Sequence, residues 1–299
     1  DLSDTLSMRG SFGTAFRAPT PGQQGTTNVS TRLPNGFPVA TGLFPAGGPV
    51  AGALGAVPLE PEKSKNLTLG FVANFGDLDV TVDFYQIDIE DTTNAVSTRD
   101  VSTDPTSGDA YQNYLKLDAA GVPGANSIGG VFYFANGFDT TTKGMDIVAT
   151  YPLTENTNLT AAIKYNKTEF DSDPSAYLNV EDQFDFENLL SDWRGIYTIT
   201  HDVNNLRLLA RASYYGEWEN SNRNPWPNIQ KYDPTWFIDV EATYQVNDNW
   251  RLSIGGRNIG DEYPSKDAIA DYCCGRQYAS GSYVDWQGAY YYGRVSLDF

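Results

Sequence analysis

The sequence is poor in the residues that build disulfide frameworks, zinc sites and catalytic triads. Only two of its 299 residues are Cys, the adjacent Cys273 and Cys274, and the only His is His201. One adjacent pair cannot make a disulfide framework, and the spacing of these residues matches no zinc site. With a single His, no Ser-His-Asp or Cys-His arrangement can be recognised either. The sequence therefore predicts no enzyme, no metal site and no cofactor.

Basic residues and long helical apolar runs are also scarce. Asp and Glu number 38 against 20 Lys and Arg, a net charge of -18, and the mean hydropathy is -0.42. A nucleic-acid-binding protein needs a basic face, so this class is excluded. The longest uncharged stretch, 33–59, contains five Pro and six Gly, and a membrane-spanning helix needs an unbroken apolar run. Membrane-spanning strands remain compatible with a polar average, because only every second residue faces lipid.

What the sequence does contain is alternation of apolar and polar residues with period two, which is typical of β-strands. The segments 206–214, 236–246 and 291–299 show it most clearly. In the last of these, the apolar row consists of Tyr291, Gly293, Val295, Leu297 and Phe299. Several such rows have about five residues on one face, the length that a tilted strand needs to cross a bilayer.

The alternation predicts ten strands. In the third predicted strand the alternation is interrupted near Gln86, which predicts a β-bulge there. The predicted strands are 5–16, 65–75, 78–89, 131–151, 158–168, 189–201, 206–216, 236–246, 250–259 and 289–299.

Short and long connections alternate through all ten predicted strands. Short turns rich in Asn, Asp, Gly and Pro are followed each time by connections of roughly twenty to nearly fifty residues. This alternation is typical of a transmembrane, antiparallel up-and-down β-barrel, with short periplasmic turns and long extracellular loops. Tyr151, Trp236, Trp250 and Phe299 lie at strand ends, where interfacial aromatic girdles are expected. A water-soluble sandwich or propeller is the alternative, but its apolar rows would leave much apolar surface exposed.

Five segments, in the same order along the chain, resemble those of TonB-dependent outer-membrane receptors. Asn66 departs from the pattern, because Glu is more usual at that place. The segments are SFGTAFRAPT at 11–20, PEKS at 61–64 with NLTLG at 66–70, DFYQIDI at 83–89, TKGMD at 142–146 and IGGRNIGDEYP at 254–264.

The resemblance implies a fold and a place in the cell. The family's barrel has about 22 strands around a plug, so residues 1–299 are expected to be the C-terminal portion of one barrel domain, its last ten strands, without the plug. The chain would lie in the outer membrane of a Gram-negative bacterium, with long loops extracellular and Phe299 periplasmic. Its partners would be outer-membrane lipid and lipopolysaccharide, its own N-terminal plug and the remaining barrel strands. Nucleic acid is not among them.

The resemblance also implies a function, TonB-dependent active uptake of a scarce solute. The solute would be a siderophore, a vitamin or a carbohydrate, and the inner-membrane TonB complex would supply energy through the plug. Two alternatives remain open at this stage. One is a structural or adhesive barrel whose extracellular loops bind a partner protein. The other, less favoured because no catalytic arrangement can be recognised, is an outer-membrane hydrolase.

Charged residues in the inward rows are candidates for contacts with the plug. Opposite charges on neighbouring strands could instead pair along the wall, with Arg207 and Arg211 facing Asp239 and Glu241. The candidates are Arg207, Arg211, Asp239, Glu241, Arg251 and Arg294.

The long loops supply the candidates for solute binding. Trp218, Arg223, Trp226 and Tyr232 combine aromatic faces with a guanidinium group, although loop self-packing and anchoring at the membrane interface are the favoured interpretation. Cys273 and Cys274 could form a vicinal disulfide in an oxidising compartment. The stretch 169–192 holds eight acidic and no basic residues. These residues could bind Ca²⁺, attract a cationic ligand or simply form a solvated loop. No EF-hand spacing supports a calcium site, so no metal site is predicted.

Overall fold

The computed structural model describes residues 2–32, 38–221, 226–268, 277–279 and 281–298. Strands dominate it, and none of the helices in these ranges is long and apolar enough to cross a membrane. The strands are β1 (Leu6–Arg17), β2 (Asn28–Arg32), β3 (Val39–Leu43), β4 (Glu62–Phe75), β5 (Leu78–Ala95), β6 (Arg99–Asp100), β7 (Ile128–Phe132), β8 (Phe134–Thr154), β9 (Thr157–Phe170), β10 (Trp193–Val203), β11 (Leu206–Tyr215), β12 (Trp218–Asn220), β13 (Gln230–Tyr232), β14 (Thr235–Gln245), β15 (Trp250–Arg257) and β16 (Tyr290–Leu297). The helices are α1 (Pro21–Gly25), α2 (Pro49–Ala53), α3 (Asp109–Ala119) and α4 (Val180–Asn188), with a 3-10 turn at Ala125–Ser127.

Ten strands form one antiparallel sheet in the order β1-β4-β5-β8-β9-β10-β11-β14-β15-β16. Each pairs with the next barrel strand along the chain, so the predicted ten-strand, up-and-down arrangement is confirmed. The turns at 76–77 and 204–205 have two residues each, and Gly76 and Asn204 adopt φ of 64° and 52°. Such left-handed conformations suit tight hairpins. Within the described residues the sheet does not close, since β1 and β16 are its edges.

The sheet has one apolar and one polar face. Directly paired residues point to the same side, so the register defines each face. Phe12, Ile254 and Val295 on the apolar face are 71%, 70% and 62% exposed. A water-soluble sheet would bury such side chains, whereas in a membrane barrel they face lipid.

Aromatic residues stand at both ends of the apolar face. Trp193 is the first residue of β10 and Trp236 the second of β14. Both lie at the end of the sheet from which the long connections emerge, which we call the long-loop end. Trp250 and Tyr151 lie at the short-turn end. All four are exposed, as expected for two girdles at the membrane interfaces. Phe299 lies outside the described residues.

The bulge predicted near Gln86 lies a few residues further along the chain. Gln86 pairs regularly with Lys143, and the register between β5 and β8 shifts between Ile89 and Thr93. The polar residues that break the pattern earlier, Gln86 and Asp88, are on the apolar face close to the long-loop end. There the strands extend beyond the lipid-covered part of the sheet. Polar side chains can therefore lie on the apolar face without any shift in the alternation of inward and outward residues.

The long connections form a second folded layer. Strands β2, β3, β7 and β6 make a small sheet in which β3 and β7, from two different connections, pair in parallel. Buried Ala51, Leu117 and Val131 form part of its apolar core with α2 and α3. The apolar stretch 33–59 therefore packs, in its described part 38–59, against another loop of this chain. The two connections consequently fold as one unit.

Candidate functional site

The polar face is crossed by side chains that lie over glycine residues. Arg9 on β1 reaches across Gly70 on β4 and binds Asp83 on β5, with Nε–Oδ1 and Nη2–Oδ2 distances of 3.0 and 2.6 Å. A Cβ atom at Gly70 would overlap the Asp83 carboxylate and approach the Arg9 Nε atom within 2.8 Å. Glycine at the middle strand therefore permits an ion pair between two strands that are not adjacent.

A tyrosine repeats this arrangement on the next strands. Tyr85 on β5 lies across Gly144 on β8, and its hydroxyl donates to Asn166 Oδ1 on β9 over 2.9 Å. Gly144 pairs directly with both Tyr85 and Asn166, so the three residues form one row across three strands. Any Cβ atom at Gly144 would overlap the tyrosine ring.

A third crossing lies near the end of the sheet. Tyr292 on β16 covers Gly255 on β15, where a Cβ atom would lie 2.6 Å from the ring, and its hydroxyl donates to Glu241 Oε2 over 2.6 Å. The same carboxylate accepts from Arg294 Nη2 over 2.7 Å and from Thr243 Oγ1 over 3.0 Å. Long side chains thus lie flat against the polar face of the sheet.

The predicted ion pairs across β11 and β14 are wrong. Arg207 binds Asp202 on β10 with Nε–Oδ1 of 2.7 Å, and Glu241 pairs with Arg294. Arg211 stands opposite Asp239 in the register, but its Nε donates to Thr198 Oγ1 at 3.3 Å.

The remaining inward candidates also pair within the wall. Asp239 Oδ1 accepts from the backbone N–H of Asn258 over 2.8 Å. Arg251 Nη2 lies 2.8 Å from Asp298 Oδ2. All six candidates sit on the polar face, as alternation predicted, but their lateral partners differ because alternation fixes a face and not a neighbour.

Two of the predicted solute-binding aromatics are instead the core of a loop. Trp218 and Tyr232 pair across the β12–β13 hairpin, are 3% and 1% exposed, and stack with ring centroids 3.8 Å apart. Their faces cover each other, so neither offers a platform to a solute. Trp226 is 42% exposed and meets Phe184 edge-on at 5.7 Å. Arg223, Cys273 and Cys274 lie outside the described residues.

The acidic stretch 169–192 mostly holds the loops together. Asp185 accepts both the N–H and the hydroxyl of Ser221, at 2.7 and 2.9 Å. Glu187 Oε1 accepts the N–H of Phe170 over 3.0 Å. Glu181 and Asp182 occupy the first turn of α4, where negative charge is favourable. In the described part of the chain, no three His, Cys, Asp or Glu residues are grouped as metal ligands.

Arg194 is a basic residue of the polar face that the predicted strands do not place there. Arg194, the second residue of β10, pairs with Lys164 on β9 and Tyr215 on β11. Arg194, Ile196 and Thr198 follow one another at every second position, and this spacing places Arg194 on the same face as Thr198. The predicted strand began at 189, inside the loop that follows α4, and therefore gave no clear phase at Arg194.

Comparisons with known proteins agree with this architecture. The family model described as TonB dependent receptor-like, beta-barrel matches residues 1–259. The copper transporter OprC is 17% identical with a TM-score of 0.62, over 100% of this chain and 38% of its own. A mutant of the ferric enterobactin receptor PfeA from Pseudomonas aeruginosa is 14% identical with a TM-score of 0.63, covering 100% of this chain and 39% of its own. The siderophore receptor PirA from Acinetobacter baumannii is 14% identical with a TM-score of 0.63, covering 100% of this chain and 40% of its own.

A search of curated proteins found no match. The chain spans about two fifths of the length of these three structures, which accords with a part of a larger barrel. The matched family and structures are receptors and transporters, in agreement with the prediction that the chain is not an enzyme. Barrels of this family lie in the Gram-negative outer membrane. Since the family's model matches most of its length, this chain belongs to the TonB-dependent receptor-like β-barrel family.

Proposed function

We propose that the chain is the C-terminal part of the barrel of a receptor that takes up a scarce solute across the outer membrane by TonB-dependent transport. The observation that carries this proposal is the ten-stranded sheet with an exposed apolar face and a charged polar face, in a chain that the family model matches over 1–259. The apolar face suits contact with lipid, and the polar face suits a lumen.

The proposed orientation places the long-loop end outside the cell and the short turns in the periplasm. The folded layer built from two long connections supports it, because this layer would stand where solute arrives. Outer-membrane barrels have short periplasmic turns and longer extracellular loops. In this orientation the apolar face would contact membrane lipid and, in the outer leaflet, lipopolysaccharide.

The polar wall has a specific task in such a receptor. A plug, supplied with the remaining strands by other parts of the protein, must be held in the lumen and must move when the inner-membrane TonB complex pulls it. Ion pairs within the wall, such as Arg9–Asp83 and Arg294–Glu241, keep charges hydrated and internally compensated. Strong attraction to the plug would then be limited to few places, which lowers the barrier to its movement.

A structural or adhesive barrel is the second candidate, favoured by the folded loop layer. Parallel pairing of β3 with β7 and the buried core around Leu117 hold this layer together, and a folded outer surface suits binding of a partner protein. The two functions differ in whether solute crosses the membrane. Siderophore, vitamin and carbohydrate remain the proposed classes of solute; the names of the similar structures add copper.

Uptake measurements on cells test the transport proposal. A strain that produces the complete receptor is given labelled ferric enterobactin, copper, cobalamin or an oligosaccharide, with and without a protonophore. We expect accumulation of one of these solutes, which the protonophore reduces to the level of a strain without the receptor while binding at the cell surface persists. Uptake that is unaffected by the protonophore, or accumulation of none of them together with stable binding of a surface protein, would contradict the proposal.

A further inference from the structure

We propose that the polar wall carries an anion-binding site formed by Lys164 and Arg194 and backed by Tyr215, so that the transported solute is an anion. This inference rests on the proposed function and narrows it, since it names the charge of the solute and the residues that meet it.

The register places two cations side by side. Lys164 and Arg194 are directly paired residues on neighbouring strands and both are exposed. Like charges in directly opposed positions destabilise a sheet. Asp146 stands on the other side of Lys164. Even so, among the described residues neither Lys164 nor Arg194 forms an ion pair within 4.0 Å. Most other cations of the wall do.

Arg194 is held in place by an aromatic ring rather than by a carboxylate. Its Nη2 donates to the Tyr215 hydroxyl over 3.1 Å, and its Cζ lies 4.8 Å from the centre of the Tyr215 ring. Phe237 and Tyr283 each approach the Tyr215 ring at 5.8 Å, and Tyr283 in turn meets Trp218 at 6.0 Å. The buried aromatic core of the hairpin thus fixes the guanidinium, which lowers the entropy lost when a ligand binds.

The chemistry of the pair selects oxyanions. A guanidinium presents a planar fork that matches carboxylate, phosphate or catecholate oxygens, and a lysine adds a point charge. The tyrosine and its aromatic neighbours offer an apolar flank to the same ligand. A site of this kind would attract an anion to a chain whose net charge is -18.

The position of the pair favours a solute over the plug as its occupant. Tyr215 is the last residue of β11 and Arg194 the second of β10, so both lie at the long-loop end. In the proposed orientation a solute meets this place before it reaches the middle of the lumen. An acidic side chain of the plug is the competing occupant, and the experiment below separates the two.

Binding to the purified complete receptor tests the site. The probes are a triply anionic ferric tris-catecholate and an uncharged ferric tris-hydroxamate, followed by quenching of tryptophan fluorescence. We expect wild type to bind the anionic probe more tightly than the uncharged one. Lys164→Gln and Arg194→Gln should each lower the affinity for the anionic probe about tenfold, because hydrogen bonds to charged groups contribute this much. Binding of the uncharged probe should not change. Lys143→Gln, on the opposite face of the sheet and exposed, is the matched control and should leave both affinities unchanged.

Several results would overturn the inference. These are no binding of the anionic probe, equal affinity for both probes in wild type, and equal weakening of both by the two substitutions. Unchanged probe affinity with increased protease cleavage of the plug would assign the cations to the plug instead. Coupling-dependent uptake without charge preference would refute the anion site and leave the transport proposal standing. Charge-selective binding without energy-dependent uptake would support the anion site and refute the transport proposal.

Discussion

Trp218→Ala is expected to unfold the β12–β13 hairpin locally. It should lower the free energy of unfolding by roughly 3–5 kcal/mol, the usual effect of truncating a buried tryptophan. The indole is 3% exposed and stacks on Tyr232 at 3.8 Å, so its removal leaves a cavity beside the Tyr232 ring. Hydrogen exchange of the backbone amides at 218–220 and 230–232 measures the effect directly. Protection at these positions should fall while that of β9 and β10 is retained.

Trp226→Ala is the matched control in the same loop. Trp226 is 42% exposed and meets Phe184 edge-on, so its removal should lower the free energy of unfolding by less than about 1 kcal/mol. A larger loss of protection from this substitution than from Trp218→Ala would contradict the assignment of Trp218 to the loop core. It would restore Trp218 as a candidate for solute contact.

Gly144→Val is the second substitution with a large expected effect, a loss of roughly 3 kcal/mol in the free energy of unfolding. The new side chain would occupy the space of the Tyr85 ring, which must leave its place and break the 2.9 Å bond to Asn166. Overpacking and the lost hydrogen bond together account for this magnitude. Thermal unfolding of the complete receptor in detergent, followed by its shifted mobility in gels, provides the measurement.

A double-mutant cycle separates crowding from a general intolerance of valine. Tyr85→Ala removes the ring that valine would overlap, so the two changes together should cost clearly less than their sum. Gly13→Val provides a further control, because a Cβ atom at Gly13 has nothing within 4 Å. Strict additivity, or an equal loss at Gly13, would show that the crossing over Gly144 is not what the glycine serves.

The barrel strands could be predicted from the sequence because one face must meet lipid at every second residue. The start of β5 at Leu78 and the hairpin between β10 and β11 follow directly from such rows and their turns. The small sheet of the loops could not be predicted in this way. The parallel pairing of β3 with β7 joins segments that are far apart in the chain, and nothing local in either segment specifies the other.

The sequence predicts which residues lie on the polar face but not which of them pair with one another. Alternation places Arg207 and Glu241 on it correctly, yet Arg207 binds Asp202, which the sequence assigned to a turn. Composition likewise cannot distinguish a stacked core pair such as Trp218 and Tyr232 from an open platform. One unused signal was present. A glycine inside a strand, such as Gly144, indicates a close approach of another group.

Spin labelling of β11 tests the central claim, that this sheet is a membrane barrel wall with its polar face turned to the lumen. Nitroxides at Ala210, Arg211, Ala212 and Ser213 in the complete receptor, reconstituted in lipid, report collisions with oxygen and with a water-soluble nickel complex. We predict strict alternation, with oxygen accessibility high at Ala210 and Ala212, on the apolar face, and low at Arg211 and Ser213. Equal accessibility to the nickel complex at all four positions, without a two-residue period, would contradict the account.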